Sequence, residues 1–148
     1  DAGKMAEEKK YLETALGEPI ESCRQHWLRF SWADTWKSQE SIGIKQDTTL
    51  GFNDRPGFRS SAAISFHPWN PQNEKSMAIN VLPLVFMDSH FYNYNDLDDK
   101  ERIEQIDYWI DEIKKVHGTA SITWHQRVMS KDYNWGAGYK HILSSFRV

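Results

Sequence analysis

The stretch from Asp98 to Trp124 constrains the fold more than any other, because it specifies a helix, a stop and a strand with almost nothing between them. Asp98 and Glu101 have the spacing of a capping box, in which each side chain accepts from the other residue's backbone N–H. Ile103, Ile106, Ile110 and Ile113 then recur at helical period and predict one apolar stripe. Lys114, Lys115 and His117 suit the negative end of the helix dipole, and Gly118 is the expected stop. Thr119 to Trp124 follows at once as a strand. A helix that runs directly into a strand is half of a βαβ unit, the building block of parallel sheets.

The same alternation is visible elsewhere. Met5 to Leu16 predicts a helix with Met5, Leu12, Ala15 and Leu16 on one face, stopped by Gly17 and Pro19. Ile20 to Cys23 is a candidate strand. Asp34 or Thr35 caps a short helix ending near Ile42-Gly43, and Ile44 to Asp47 is the next strand. After a long polar, glycine-bearing loop, Ser61 to Phe66 is a further candidate for extended chain, and Pro68-Trp-Asn-Pro71 is a turn. Met77 to Met87 is almost continuously apolar, as a buried strand is, although Pro83 predicts an edge or a break inside it. Asn134 to Phe146 closes the chain with a helix carrying Tyr139, Ile142, Leu143 and Phe146. About four strands result, few for a parallel sheet that needs both faces covered, so the fold expected is α/β and incomplete.

Bulk properties narrow the classes of function. At 148 residues the chain is one domain or part of one, and it carries a net charge of −3. With a pI near 6.1 and no basic stripe, nucleic acid is not an expected partner. Cys23 is the single cysteine, which excludes an internal disulfide and a cysteine-built zinc cage. No apolar run approaches the roughly 20 residues of a membrane span. No signal peptide is visible, and the chain opens on Asp1 rather than Met, as a processed or excised boundary would. Aromatic residues make up 14% of the sequence, with 7 Trp, enough for a packed core or for flat rings along a sugar groove.

Chemistry in α/β folds gathers where strands end. Arg24 follows the strand at Ile20 to Cys23, where a guanidinium either holds a carboxylate through paired hydrogen bonds or serves as a surface arginine. Asp47 ends the next strand, either as an acid–base partner or as the cap of its own loop. His125 ends the strand at Ser121 to Trp124, either as a general acid or as a structural histidine. Asp88 and His90, two apart on a strand, would face one side and could share a metal with His125, or with His67 or His26. Phosphate loops, Cys-x-x-Cys pairs and Gly-x-Ser-x-Gly elbows are absent, and neither Ser60 nor Ser61 has a base nearby in sequence.

Arg24-Gln-His-Trp-Leu-Arg-Phe30, Asp47-Thr-Thr-Leu-Gly-Phe52, Pro56-Gly-Phe-Arg59, Leu82-Pro-Leu-Val-Phe-Met-Asp88 and Trp124-His125 occur in this order. Together they resemble the polysaccharide deacetylases, the NodB-homology domain of carbohydrate esterase family four, and within it a bacterial subgroup. The likeness runs from about Glu7 to Leu143. It implies a (β/α) barrel of which this chain is one partial domain, spanning 1–148, with about four mostly parallel strands and flanking helices. It also implies a hydrolase that removes acetyl groups from N-acetylated sugars with a divalent metal, usually zinc. In that scheme Arg24 orients the base, Asp47 tunes the catalytic histidine, and His125 is that histidine, protonating the leaving amine. Trp27 and Trp124 line the sugar groove.

The family's Thr-Phe-Asp-Asp strand end and its paired metal-binding histidines do not occur in the sequence. The resemblance therefore implies that both lie upstream of Asp1, on a missing part of the barrel or a partner chain. On that expectation this chain assigns no metal ligand of its own and is inactive alone, in a bacterial cytoplasm or cell envelope. The alternative expectation is a non-catalytic carbohydrate-binding or scaffold remnant of the same fold.

Overall fold

The computed structural model describes residues 2–146. Helix α1 (Ala2–Leu16) is followed by strand β1 (Ser22–Cys23), a single 3₁₀ turn at His26–Leu28, and helix α2 (Thr35–Ser41). Strand β2 (Gln46–Asp47) leads into the long loop. Strands β3 (Trp69–Asn70), β4 (Lys75–Ser76), β5 (Asn80–Val81) and β6 (Leu84–Met87) come next, then helices α3 (Asp88–Tyr92) and α4 (Asp99–Lys115). Strand β7 (Ser121–Thr123), a 3₁₀ turn at Gln126–Met129 and helix α5 (Gly136–Ser145) complete the chain.

The α/β class with parallel strands is as the alternation predicts. Strands β1, β2 and β5 form one parallel sheet, and β6 and β7 form another. These sheets do not close into a barrel among the described residues. Pro68 to Pro71 is more than a turn, because β3 pairs antiparallel with β4 in a small hairpin. Ser61 to Phe66 contributes only a single bridge, Phe66 to Val81.

Pro83 explains why one apolar run becomes two strands. Leu82 N–H still donates to Asp47 O, on the β2 side, at 2.9 Å. Pro83 has no N–H to continue that ladder, but its carbonyl accepts from Ser121 N–H at 2.8 Å, on the β7 side. The run thus changes partner at the proline. Residues 80–87 become the shared spine of both sheets.

Two cores sit on either side of this spine. Trp36, Ile44, Leu50, Met77, Ile79 and Val81 pack around the β1–β2–β5 sheet. Val85, Phe86, Phe91, Ile106, Ile110 and Ile142 pack where α4 and α5 cover β6 and β7. The capping box of α4 forms as spaced: Asp98 Oδ1 accepts from Glu101 N and Glu101 Oε2 from Asp98 N, both at 2.8 Å. The stop of α4 differs in its detail. His117, not Gly118, takes the left-handed conformation, with φ of 49°. Gly118 is needed for another reason: a Cβ there would lie 2.7 Å from Ala63 Cβ. Helix α1 also departs from expectation, since Leu12 and Leu16 of its apolar face stay exposed and no residue of the helix is buried. The Ile20 N–H donates to the Glu13 side chain, at Oε1, at 2.9 Å and ties the helix to the following segment.

The loop after β2 runs along the spine rather than away from it. Leu84 N–H donates to Leu50 O at 2.9 Å, and Gly57 N–H donates to Val85 O at 2.7 Å. Gly51 sits so close to Leu84 that an added Cβ would fall 2.9 Å from two of its carbons. Gly51→Ala is therefore expected to lower unfolding free energy by about 1–3 kcal/mol through overpacking, read from urea denaturation. A midpoint equal to that of the native protein would show that the loop does not depend on this close approach.

Candidate active site

Asp47 is fully buried, and four donors converge on its carboxylate. Trp36 Nε1 and the Thr49 N–H reach Oδ2 at 3.2 and 3.1 Å. Gln39 Nε2 and Thr49 Oγ1 reach Oδ1 at 2.7 and 2.5 Å. Donors from α2, reached through Trp36 and Gln39, and from the loop itself saturate the group, which is how a buried carboxylate avoids its desolvation penalty. Asp47 is thus the cap of its own loop, and more: it clamps α2 onto β2. It is not the partner of His125, contrary to the expectation from motif order.

The partner of His125 is Asp88. His125 Nδ1 lies 2.9 Å from both Asp88 oxygens, and the His125 backbone N–H donates to Oδ2 at 2.6 Å. Ser89 N–H donates to Oδ1 at 2.7 Å. Strand order explains the exchange. β6 pairs with β7 in the register Met87 to Thr123, which brings Asp88, one residue past β6, beside His125, two residues past β7. β2 pairs with β1 and β5, which places its end away from β7. The Asp88 side chain is only 1% exposed, whereas the His125 side chain is 55% exposed. With Nδ1–H donated to Asp88, the tautomer is set and Nε2 is the nitrogen left for a ligand.

His125 lines a cavity of about 600 Å³ together with Arg24, Trp27, Asn53, Ser89 and Tyr94. Arg24 Nε donates to Thr48 O at 3.2 Å, which leaves its two terminal nitrogens without a partner among the described residues. Arg24 and His125 therefore share one cavity, while Asp47 stands behind it. The link between them is a relay of hydrogen bonds. Gln25 N–H donates to Thr49 Oγ1 at 3.0 Å, and Thr49 Oγ1 in turn donates to Asp47.

The two tryptophans expected in a groove separate. Trp27 has a left-handed backbone, with φ of 59°, is followed by Leu28 at 48°, and is 72% exposed at the cavity. Two consecutive non-glycine residues in that region are costly and persist only where surroundings enforce them, a pattern common at ligand sites. Trp124 instead packs into the core against Tyr92 and Tyr139, with ring centroids 5.9 and 6.1 Å apart, and does not line the cavity. The strand period puts Trp124 on the opposite face from Thr123, so Trp124 serves the core. Asn53 and Tyr94 carried no signal in sequence, since a single polar residue in a loop gives none. Asp88 did carry one, an acid at a strand end, but it pointed toward a metal.

That metal reading does not hold. Asp88 and His90 lie on α3 rather than on a strand. His90 is fully buried with both ring nitrogens engaged: Met87 N–H donates to Nδ1 at 3.3 Å, and Nε2 faces Phe52 O at 3.2 Å. Nε2 must carry the proton to donate to that carbonyl, so His90 is a neutral brace between α3 and the loop after β2. His67 also uses Nδ1, on Ile79 O at 3.0 Å. Among the described residues no group of three or more His, Cys, Asp or Glu could hold a metal ion, so Asp88, His90 and His125 do not form a shared metal site.

No protein-family model matches the chain, and neither a curated protein nor a solved structure matches it. No helix among the described residues is long and apolar enough to cross a membrane.

Two measurements check this geometry. Asp47→Asn replaces one acceptor by an amide facing two donors and is expected to cost roughly 2–5 kcal/mol in urea denaturation. A loss below about 0.5 kcal/mol, the scatter of an ordinary surface substitution, would mean that the carboxylate does not clamp α2. Burial pushes the His90 imidazole below the ordinary histidine range. The unfolded chain then takes up a proton near pH 6.5 that the folded chain refuses. Stability is expected to fall as pH drops below about 6.5, by at most about 1.4 kcal/mol per pH unit from this group. In His90→Asn that slope should shrink; an identical slope would place the titration elsewhere.

Proposed function

We propose that the protein is a polysaccharide deacetylase-like hydrolase that removes acetyl groups from N-acetylated sugars, built on part of a (β/α) barrel. The observation that carries this reading is the His125–Asp88 pair at the wall of a cavity that also holds Arg24 and an exposed tryptophan. An amide C–N bond breaks readily only when its nitrogen is protonated as it leaves, so the reaction needs a positioned acid. Asp88 holds the imidazole in the tautomer and orientation that presents Nε2 to the cavity, where the proton would be delivered. Arg24 offers its two terminal NH₂ groups in the same cavity, suited to an oxygen on the substrate or to a neighbouring carboxylate.

The cavity wall suits a sugar. Trp27 presents an aromatic face, and Tyr94 and Asn53 add hydroxyl and amide groups at the rim. A pyranose needs that combination, an apolar ring face flanked by polar groups that satisfy its hydroxyls. The site's one buried carboxylate, Asp88, is turned onto His125 rather than toward the cavity.

The test is acetate release from hexa-N-acetylchitohexaose by the full-length protein with Zn²⁺ added. His125→Ala is expected to lower the rate by about 10²–10⁴-fold. Asp88→Asn, which no longer dictates the tautomer, is expected to lower it by roughly 10²-fold or more while the fold persists by circular dichroism. Acetate release that survives His125→Ala would overturn the assignment, as would oligosaccharide binding with no release at any metal loading.

A further inference from the structure

A second cavity is lined further along the segment that carries Arg24 and Trp27, by Trp32, Trp36 and Lys37. It has a volume of about 550 Å³ and runs between Trp32 and Trp69, with Trp36 and Phe66 as aromatic neighbours. Trp32 is 58% exposed and Trp69 64% exposed, so two large apolar faces stand open to water on one depression. Exposed aromatic surface gathered in this way costs free energy that a ligand can recover.

The rings are held rather than loose. Trp36 is buried, with its Nε1 committed to Asp47, and it meets Trp32 edge-on at 5.4 Å and Phe66 at 5.9 Å. Phe30 packs edge-on to Trp32 at 5.0 Å. Trp69 sits on the β3–β4 hairpin, opposite Ser76, and Asn70 Oδ1 accepts from Gln72 N–H at 3.0 Å to brace the turn. A preformed aromatic cleft loses little entropy on binding.

Charge then selects among ligands. Aromatic clusters of this size often bind quaternary ammonium groups. Here no Asp or Glu lines the cavity, Lys37 does, and the Arg59 guanidinium already lies 5.9 Å from the Trp32 ring centre. A cationic ligand would meet two positive charges and no compensating carboxylate. The polar groups present suit hydroxyls instead. Lys37 Nζ donates to Gln72 Oε1 at 3.0 Å, which leaves further ammonium N–H groups and the Gln72 amide NH₂ as donors. His67 commits Nδ1 to Ile79 O and keeps Nε2 as an acceptor. Flat apolar faces ringed by the Lys37 and Gln72 donors and the His67 acceptor match a sugar ring that itself carries no positive charge.

We propose that the Trp32–Trp69 cavity is a second glycan-binding site, which grips a sugar residue of the same polysaccharide whose acetyl groups the His125 site removes. The choice of polysaccharide rests on the proposed deacetylase reading; the aromatic cleft and its charge do not. The segment from Arg24 to Lys37 lines the first cavity at one end and the second at the other, so a long strand could engage both.

Isothermal titration of the full-length protein tests this in a His125→Ala background, where binding is measured without turnover. The probes are hexa-N-acetylchitohexaose, cellohexaose and choline chloride. A hexasaccharide is expected to bind, and Trp69→Ala and Trp32→Ala are each expected to weaken it roughly tenfold. Trp69 lies on an exposed hairpin, so Trp69→Ala remains decisive if Trp32→Ala fails to fold. Unchanged affinity in Trp69→Ala overturns the second site and leaves the His125 reading standing. Binding of choline in preference to both sugars, or of neither sugar, also overturns it. Binding lost in Trp69→Ala, from a protein that releases no acetate, would retain this site and remove the deacetylase reading.

Discussion

The buried Asp47 carboxylate is the contact on which the rest of the arrangement depends. A lone carboxylate in a dry interior is prohibitively costly, and this one is accommodated because Trp36, Gln39 and Thr49 bring four donors to it. The consequence spreads outward. Fixing Trp36 and Gln39 fixes α2, and fixing Thr49 positions its hydroxyl to accept from the Gln25 N–H. That hydrogen bond ties down the segment that carries Arg24 and the left-handed Trp27 and Leu28. One charge therefore sets the walls of both cavities, Trp27 at the first and Trp36 at the second.

Pro83 is the complementary device. By ending one ladder and leaving its carbonyl to start another, it lets a single run of chain serve two sheets. The switch carries β6 alongside β7 and so brings Asp88 to His125. The buried His90, bonded to Phe52 O, then holds the loop after β2 against the start of α3. Two histidines within reach of one strand end thus take opposite roles. His90 is enclosed and neutral, and its ring nitrogens are consumed by backbone. His125 is half open, with one nitrogen held and one available.

Elements whose causes are local were legible in the sequence. The capping box of α4, its isoleucine stripe, the strand directly after it and the break at Pro83 all follow from residues within a few positions of one another. Arg24 and His125 were legible as candidates too, because strand ends can be located from apolar runs and the residues that terminate them. Trp27 and Trp124 could not be told apart, since an isolated tryptophan gives no sign of whether its ring faces core or solvent. Trp124 takes the core because the β7 pleat alternates with Thr123, and Trp27 the cavity because its backbone is forced left-handed. The hairpin at Trp69 was hidden by its own brevity: two-residue strands have no period to detect.

Local chemistry in the chain, then, dictated the long helices, the parallel pairing expected of helix–strand alternation, and the acids and histidines that stand near strand ends. Which acid meets which histidine was decided only in three dimensions. Asp47 and Asp88 look alike in sequence, each an acid at the end of a candidate strand. They diverge because pairing between strands is long-range. β2 lies between β1 and β5, where α2 can cover Asp47 with donors, whereas β6 lies beside β7, where the end of the next strand delivers His125. Backbone hydrogen bonds are the same for every residue and carry no address. Only the packing of the two cores on the 80–87 spine selects the neighbours, and with them the pairing of Asp88 with His125.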